Sequence, residues 1–339
     1  MKKTIKNKLS VLFLLLLTLI VLYFSLKDDF NNVILELRTA NISWVLVAIF
    51  LMLTYYVLSS VGLHRIIRKY NNDFSFWKTI KLKFKTKFFD AVTPTSTGGQ
   101  PYQVYSLTSS GISVLDSTNI CLQNFVAYQV ALVLIGVIAV IANQVLDLFP
   151  ANNFLKLLVF IGFLINTGIA VFLFLVSFTK NFNKFIYRKV INLLVKLHII
   201  KNVDKINKMY DEYVENVKLG TTSLMKNKKE FLLLISLNFV GLCLNYMVPL
   251  AILYSTGDYS SFGPFECIVA SAYVLLMGSF IPLPGGTGGL EYGFVAFFSN
   301  FVQGSRLTAL MLMWRFITYY LVIILGAVAL NIRKKNDKL

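Results

Sequence analysis

Two short stretches of this sequence combine helix-breaking residues with groups that can bind an anion. Residues 94–102 read Pro-Thr-Ser-Thr-Gly-Gly-Gln-Pro-Tyr, and residues 284–292 read Pro-Gly-Gly-Thr-Gly-Gly-Leu-Glu-Tyr. At a constant offset of 190 residues (284 − 94), Pro94 matches Pro284, Thr97 matches Thr287, Gly98 and Gly99 match Gly288 and Gly289, and Tyr102 matches Tyr292. Proline lacks a backbone donor and glycine tolerates any backbone conformation, so each copy interrupts a helix. The amides of Gly98, Gly99, Gly285, Gly286, Gly288 and Gly289 can point outward, and a helix that restarts there presents its positive end. Such a cradle suits a phosphate. The competing reading is that the glycines only make tight turns and close helix contacts.

Charged and polar side chains accompany the two motifs. Glu291 lies inside the second, and Arg315 lies inside the last hydrophobic segment. Charge at membrane depth is costly and marks functional candidates. The uncharged run behind Arg315, 316–332, is about 25 Å long as a helix. Arg315 is therefore either a partner of Glu291 or an anchor near the outer interface. Thr97, Gln100, Tyr102 and Gln103 concentrate donors and acceptors around the first motif, as a lipid headgroup or any buried broken helix requires. Asp90 stands just before it.

These groups sit in a chain of 339 residues that is 56% apolar and 14% charged, the composition of a polytopic membrane protein. The net charge of +17 does not point to nucleic acid, because the lysines collect between apolar runs. Cys121, Cys243 and Cys267 fall in apolar runs without metal-type spacing, and the two histidines, His64 and His198, are far apart. No metal, cofactor or catalytic triad is expected.

Uncharged segments predict spans at 9–26, 44–63, 117–146, 157–179, 231–256 and 306–332. Four lysines precede the first span. A basic stretch follows the second, with Trp77, Ile80, Phe84 and Phe88 on one helical stripe and Lys78, Lys81 and Lys85 on another. Residues 180–230 hold twelve lysines and arginines against five acids and form a basic cytoplasmic loop with an amphipathic helix. The positive-inside rule places both termini in the cytoplasm. Segment 88–116 then leaves from and returns to the cytoplasm, and segment 264–304 leaves from and returns to the outside. The expected fold is all-α and polytopic: one membrane domain over 1–339, with about six full spans and two oppositely oriented re-entrant hairpins forming an inverted repeat. Irregular backbone at that depth is tolerated inside protein or beside water, so the two motifs are expected to face one internal cavity.

Residues 93–105 (Thr-Pro-Thr-Ser-Thr-Gly-Gly-Gln-Pro-Tyr-Gln-Val-Tyr), 282–292 (Pro-Leu-Pro-Gly-Gly-Thr-Gly-Gly-Leu-Glu-Tyr) and 314–320 (Trp-Arg-Phe-Ile-Thr-Tyr-Tyr) resemble motifs of the lysylphosphatidylglycerol synthase/flippase transmembrane family. The resemblance covers nearly the whole chain. It implies a domain of the bacterial cytoplasmic membrane that moves a lipid between leaflets, in the best-known members an aminoacylated phosphatidylglycerol. Its substrate would be a phospholipid with an anionic phosphate, supplied by a separate lipid-modifying enzyme, and an oligomer is compatible with it. Many members carry Asn where this chain has Asp90, and an acid and an arginine where it has Gln100 and Gln103, so the headgroup is open. Bifunctional members continue into a soluble transferase domain, for which residues after the last span leave no room. Phosphatidylglycerol lysyltransfer and small-solute or ion transport remain the alternatives.

Overall fold

The computed structural model describes residues 30–93, 96–149, 153–178, 189, 227–278 and 283–331. The expected first span and nearly all of the basic loop 180–230 lie outside them. Among the described residues all regular structure is helical. Short α1 (Phe30–Thr39) precedes α2 (Ile42–Ile67), α3 (Phe76–Ala91), α4 (Gly99–Thr108), α5 (Val114–Leu146) and α6 (Asn153–Phe178). Then come α7 (Lys228–Tyr246), α8 (Val248–Ser255), α9 (Pro264–Gly278), α10 (Gly289–Phe298), α11 (Gly304–Arg315) and α12 (Leu321–Asn331). Five continuous helical stretches are long and apolar enough to cross a bilayer: 42–67, 114–146, 154–172, 228–255 and 304–331. The protein is a polytopic membrane protein.

Caps set several boundaries. The side chains of Asn41, Ser113 and Asn227 accept from the amides of Ser43, Asp116 and Glu230, and so satisfy free donors at the starts of α2, α5 and α7. The fourth crossing changes helix at Met247, just before Pro249, whose ring cannot continue an unbroken helix. The fifth contains a π turn, Phe316–Tyr320, directly after Arg315.

The bundle has two ends. At one, Arg65 on α2 grips Glu230 on α7 through two hydrogen bonds of 2.9 and 2.7 Å. At the other, the Asn41 amide donates to the Ser255 carbonyl at 2.7 Å, and Arg306 bridges Glu36 and Asp258, each at 3.4 Å. Burial raises the Asp258 carboxyl, but the Ser261 hydroxyl, the Ser260 and Ser261 amides and the Arg306 charge outweigh it and bring it down to about 2. The latch on Arg306 therefore stays charged throughout the physiological range.

Each glycine motif forms the tip of a helical hairpin, and the two hairpins open toward opposite ends. Helix α3 begins beside His64, whose Nδ1 lies 3.0 Å from Thr79 Oγ1, and α4 returns to the same end, where Thr108 meets Ser117 at the start of α5. Helix α9 follows Phe262, and α10 returns to it, with Phe262 against Phe298 and Phe301 at ring separations of 5.4 and 5.7 Å. This is the arrangement the loop charges predicted. The limb leading to the first motif runs back to Phe76 rather than starting near 88, so the lysine-rich stretch is part of the hairpin. Its fully buried face is Thr79, Leu82 and Thr86, while Trp77 is exposed. The aromatic stripe divides: the Phe84 ring meets Tyr56 of α2 at 5.1 Å, while the Phe84 carbonyl and the Phe88 Cβ lie against α12, where Gly326 leaves room for them. Small residues that let backbones approach are a normal device of membrane helix packing.

Candidate functional site

The second hairpin tip is organised by Arg315. Its Nε donates to Glu291 Oε1 at 2.6 Å and its Nη2 donates to the Gly285 carbonyl at 3.0 Å. Both charged side chains are buried, so Arg315 is not an interfacial anchor. Glu291 uses its other oxygen to accept from the Gly288 amide at 2.7 Å, capping α10 from its own third position. Helices α10 and α11 are locked beside the pair by Phe294, which stacks on Trp314 at 4.8 Å. A buried pair of this kind is stabilising only while its geometry is complete; removing one partner typically costs about 3–5 kcal/mol.

Tyr319 joins the two tips. Its ring lies 4.6 Å from the Arg315 guanidinium carbon, it is hydrogen-bonded to Thr287, and its hydroxyl donates to the Ala91 carbonyl at 3.2 Å. The Pro284–Gly286 turn also packs against α3. The inverted repeat thus closes on the π turn of the last crossing, and π turns inside α-helices often mark functional sites. Tyr319 carried no assignment from the sequence. The available signal was its spacing: four residues after Arg315, it shares a helical face with it.

The first tip repeats the chemistry with different parts. Asp90 Oδ1 accepts from the Gly99 amide at 2.9 Å, and Thr93 Oγ1 accepts from the Gly98 amide at 2.8 Å. Lys87 neutralises Asp90 at 3.0 Å. In each hairpin a carboxylate holds an amide at the start of the restarted helix and is paired with a cation. The amides of Gly98, Gly99 and Gly288, expected to cradle a phosphate, are therefore already occupied by the protein's own side chains. An anion must displace Thr93, Asp90 or Glu291 to reach them.

The remaining sequence candidates separate. Tyr102 stacks on Phe89 at 4.2 Å. Thr97 and Gln100 are exposed. Gln103 is buried one turn beyond Gly99, and its Nε2 has no acceptor among the described residues. Gly286 donates to the Leu283 carbonyl within the turn, and Gly289 starts α10.

A cavity of about 460 Å³ opens beside Arg315 and Glu291. Its other walls are Ile34 and Leu37 of α1, Val45 and Ile49 of α2, and Met311, Leu312, Met313, Phe316, Ile317 and Tyr320 of the last crossing. It is an apolar slot whose charged groups are the ion pair, in the size range of ligand pockets. No residue of the first motif lines it, so this cavity belongs to the second hairpin and is not shared between the two tips.

Residues 9–326 match the family described as "Lysylphosphatidylglycerol synthase TM region". A UPF0104 membrane protein of Archaeoglobus fulgidus is 23% identical over 310 residues, which span 87% of this chain and 88% of the relative. With the paired hairpins, the apolar crossings and a match over most of its length, the chain belongs to the lysylphosphatidylglycerol synthase TM-region family.

Proposed function

We propose that this protein translocates a phosphate-bearing lipid across the bacterial cytoplasmic membrane, with Arg315 and Glu291 handling the headgroup. The observation that carries this reading is a buried arginine at the wall of an apolar slot, with one guanidinium N–H on the Glu291 carboxylate and another on the Gly285 carbonyl. A guanidinium binds carboxylate and phosphate in the same planar geometry. A lipid phosphate replaces Glu291 on Arg315 while its acyl chains stay in the slot or the bilayer. The freed Glu291 keeps its hold on Gly288 or meets a headgroup amine. The broken helices let this exchange occur within the membrane, as in other proteins built from inverted repeats.

The test is translocation of fluorescent phosphatidylglycerol and of its lysylated form in proteoliposomes, against empty vesicles and against uptake of small solutes. Lipid movement at the empty-vesicle rate removes the reading. Lysyl transfer from lysyl-tRNA to phosphatidylglycerol in the same vesicles, above an empty-vesicle control, would replace transport by synthesis.

The lysine distribution orients the molecule with both termini, the Arg65–Glu230 end and the first hairpin's opening in the cytoplasm. Single cysteines at exposed Ser260 and Asn227 check this. A membrane-impermeant maleimide should label position 260 in intact cells, and position 227 only after permeabilisation. Labelling of 227 from outside reverses the orientation.

A further inference from the structure

The slot beside Arg315 and Glu291 is open on one side, and that side decides what can enter it. Among its lining residues, Met311, Ile317, Glu291 and Arg315 are buried, whereas Phe316 is 52% exposed. Phe316 stands about 18 Å along the crossing that begins at Gly304. The hydrocarbon core of a bilayer is about 30 Å thick, so this ring meets acyl chains and not water. Across the slot stands Ile49 of α2, and the next residue, Phe50, is exposed. Helix α2 packs against the π turn here. At the Arg306 end the wall is Ile34 and Leu37 of α1, a helix that Arg306 holds through Glu36 at 3.4 Å. The mouth therefore faces the bilayer, between α2 and the last crossing.

The chemistry and size of the slot select its occupant. A lipid chain loses little on leaving the bilayer for an apolar wall, because lipid tails are as apolar as leucine. A water-soluble anion would have to cross hydrocarbon to reach the same mouth, at the cost of its hydration. At roughly 30 Å³ for each water-sized group, the 460 Å³ of the slot holds about fifteen methylenes, which is one acyl chain and not two. Met311 and Met313 are flexible side chains that adapt to tails of different shape. The slot thus sets where a chain lies, and Arg315 sets which head is held. Arg315 immediately precedes Phe316, so a phosphate on it lies about halfway through the membrane.

We propose that the slot binds one hydrocarbon chain of a phosphate-bearing amphiphile, which enters sideways from the bilayer past Phe316. A second chain, where the lipid has one, stays in the bilayer. The proposal rests on the reading that the cargo is a phosphate-bearing lipid, and it narrows that reading in two ways. One long chain is sufficient for binding, and water-soluble phosphates are not ligands.

The experiment irradiates proteoliposomes of the full chain that contain phosphatidylglycerol with a diazirine in one acyl chain, and maps the labelled residues by mass spectrometry. Met311 and Ile317 line the slot and are 2% and 1% exposed, so only a chain inside the slot labels them. Exposed Phe50 and Phe316 take label from the surrounding bilayer as well. Met311 and Ile317 should be labelled in the wild type. Ile49→Trp, which fills the slot, should lower that label about tenfold, because overpacking opposes the chain. Phe50→Trp, one residue away and facing the bilayer, should leave it unchanged. Excess dodecyl phosphate should remove the label, and excess glycerol 1-phosphate should not. Label confined to Phe50 and Phe316, undiminished label in Ile49→Trp, or competition by glycerol 1-phosphate overturns the proposal. Should Ile49→Trp fail to fold, the wild-type label and its two competitors decide. Vesicles that fail to move lipid while Met311 and Ile317 are labelled reject the transport reading and leave the slot assignment standing. Lipid movement with both residues unlabelled does the reverse.

Discussion

Arg315→Lys should lower phospholipid translocation in proteoliposomes by about tenfold to a hundredfold while the protein still inserts and purifies folded. The charge is kept, but the fork is lost. Arg315 places two donors in one plane, one on Glu291 and one on the Gly285 carbonyl. An ammonium is a compact point charge and cannot reproduce that spacing. It also loses the flat face that rests on Tyr319. Glu291→Gln tests the other half of the pair. Glutamine can still accept from Gly288 and preserve the cap, but it cannot meet a cationic headgroup with charge. That variant should impair lysylated phosphatidylglycerol more than phosphatidylglycerol itself. The check is initial translocation rate on both lipids, with thermal unfolding in detergent as the folding control. Arg315→Lys transporting both lipids at the wild-type rate would reduce Arg315 to a structural residue.

Gly285→Ala should nearly abolish translocation and destabilise the protein more than Gly304→Ala does. Both glycines have positive φ, 61° and 65°, where an L-residue costs about 1–2 kcal/mol. At Gly304 an added methyl meets open space, so the backbone cost stands alone. At Gly285 the same methyl overlaps the Tyr319 ring, and overpacking a fixed site adds about 1–3 kcal/mol. That ring cannot yield freely, because it stacks on Arg315 and holds the Ala91 carbonyl. Moving it separates the two hairpin tips. Thermal unfolding and translocation of the two variants, measured side by side, check this. Equal loss in both would mean that the Tyr319 contact contributes nothing.

Much of the architecture was legible in the order of residues. Membrane class and the crossings from Ile42 onward follow from long uncharged apolar runs, a local property that the bilayer reads directly. The opposite openings of the hairpins followed from lysine placement and a repeated Gly-Gly motif. The pairing of Glu291 with Arg315 followed from the cost of leaving either charge alone in low dielectric. Other features depended on how helices turn about their axes, and in α3 the lysines fall on opposite sides, Lys78, Lys81 and Lys85 against Lys83 and Lys87, which leaves little periodic signal to say so. Thus Trp77 was grouped with Phe84 and Phe88, whereas Thr79, Leu82 and Thr86 form the buried face of α3. The cavity lies against α1, α2 and the last crossing, not between the two motifs. The glycine amides are held by Asp90, Thr93 and Glu291, because a carboxylate or hydroxyl already tethered nearby reaches a free helix donor before any ligand does. The bond from Tyr319 to Ala91 crosses 228 residues of sequence, a contact that exists only because the two tips are packed into one place.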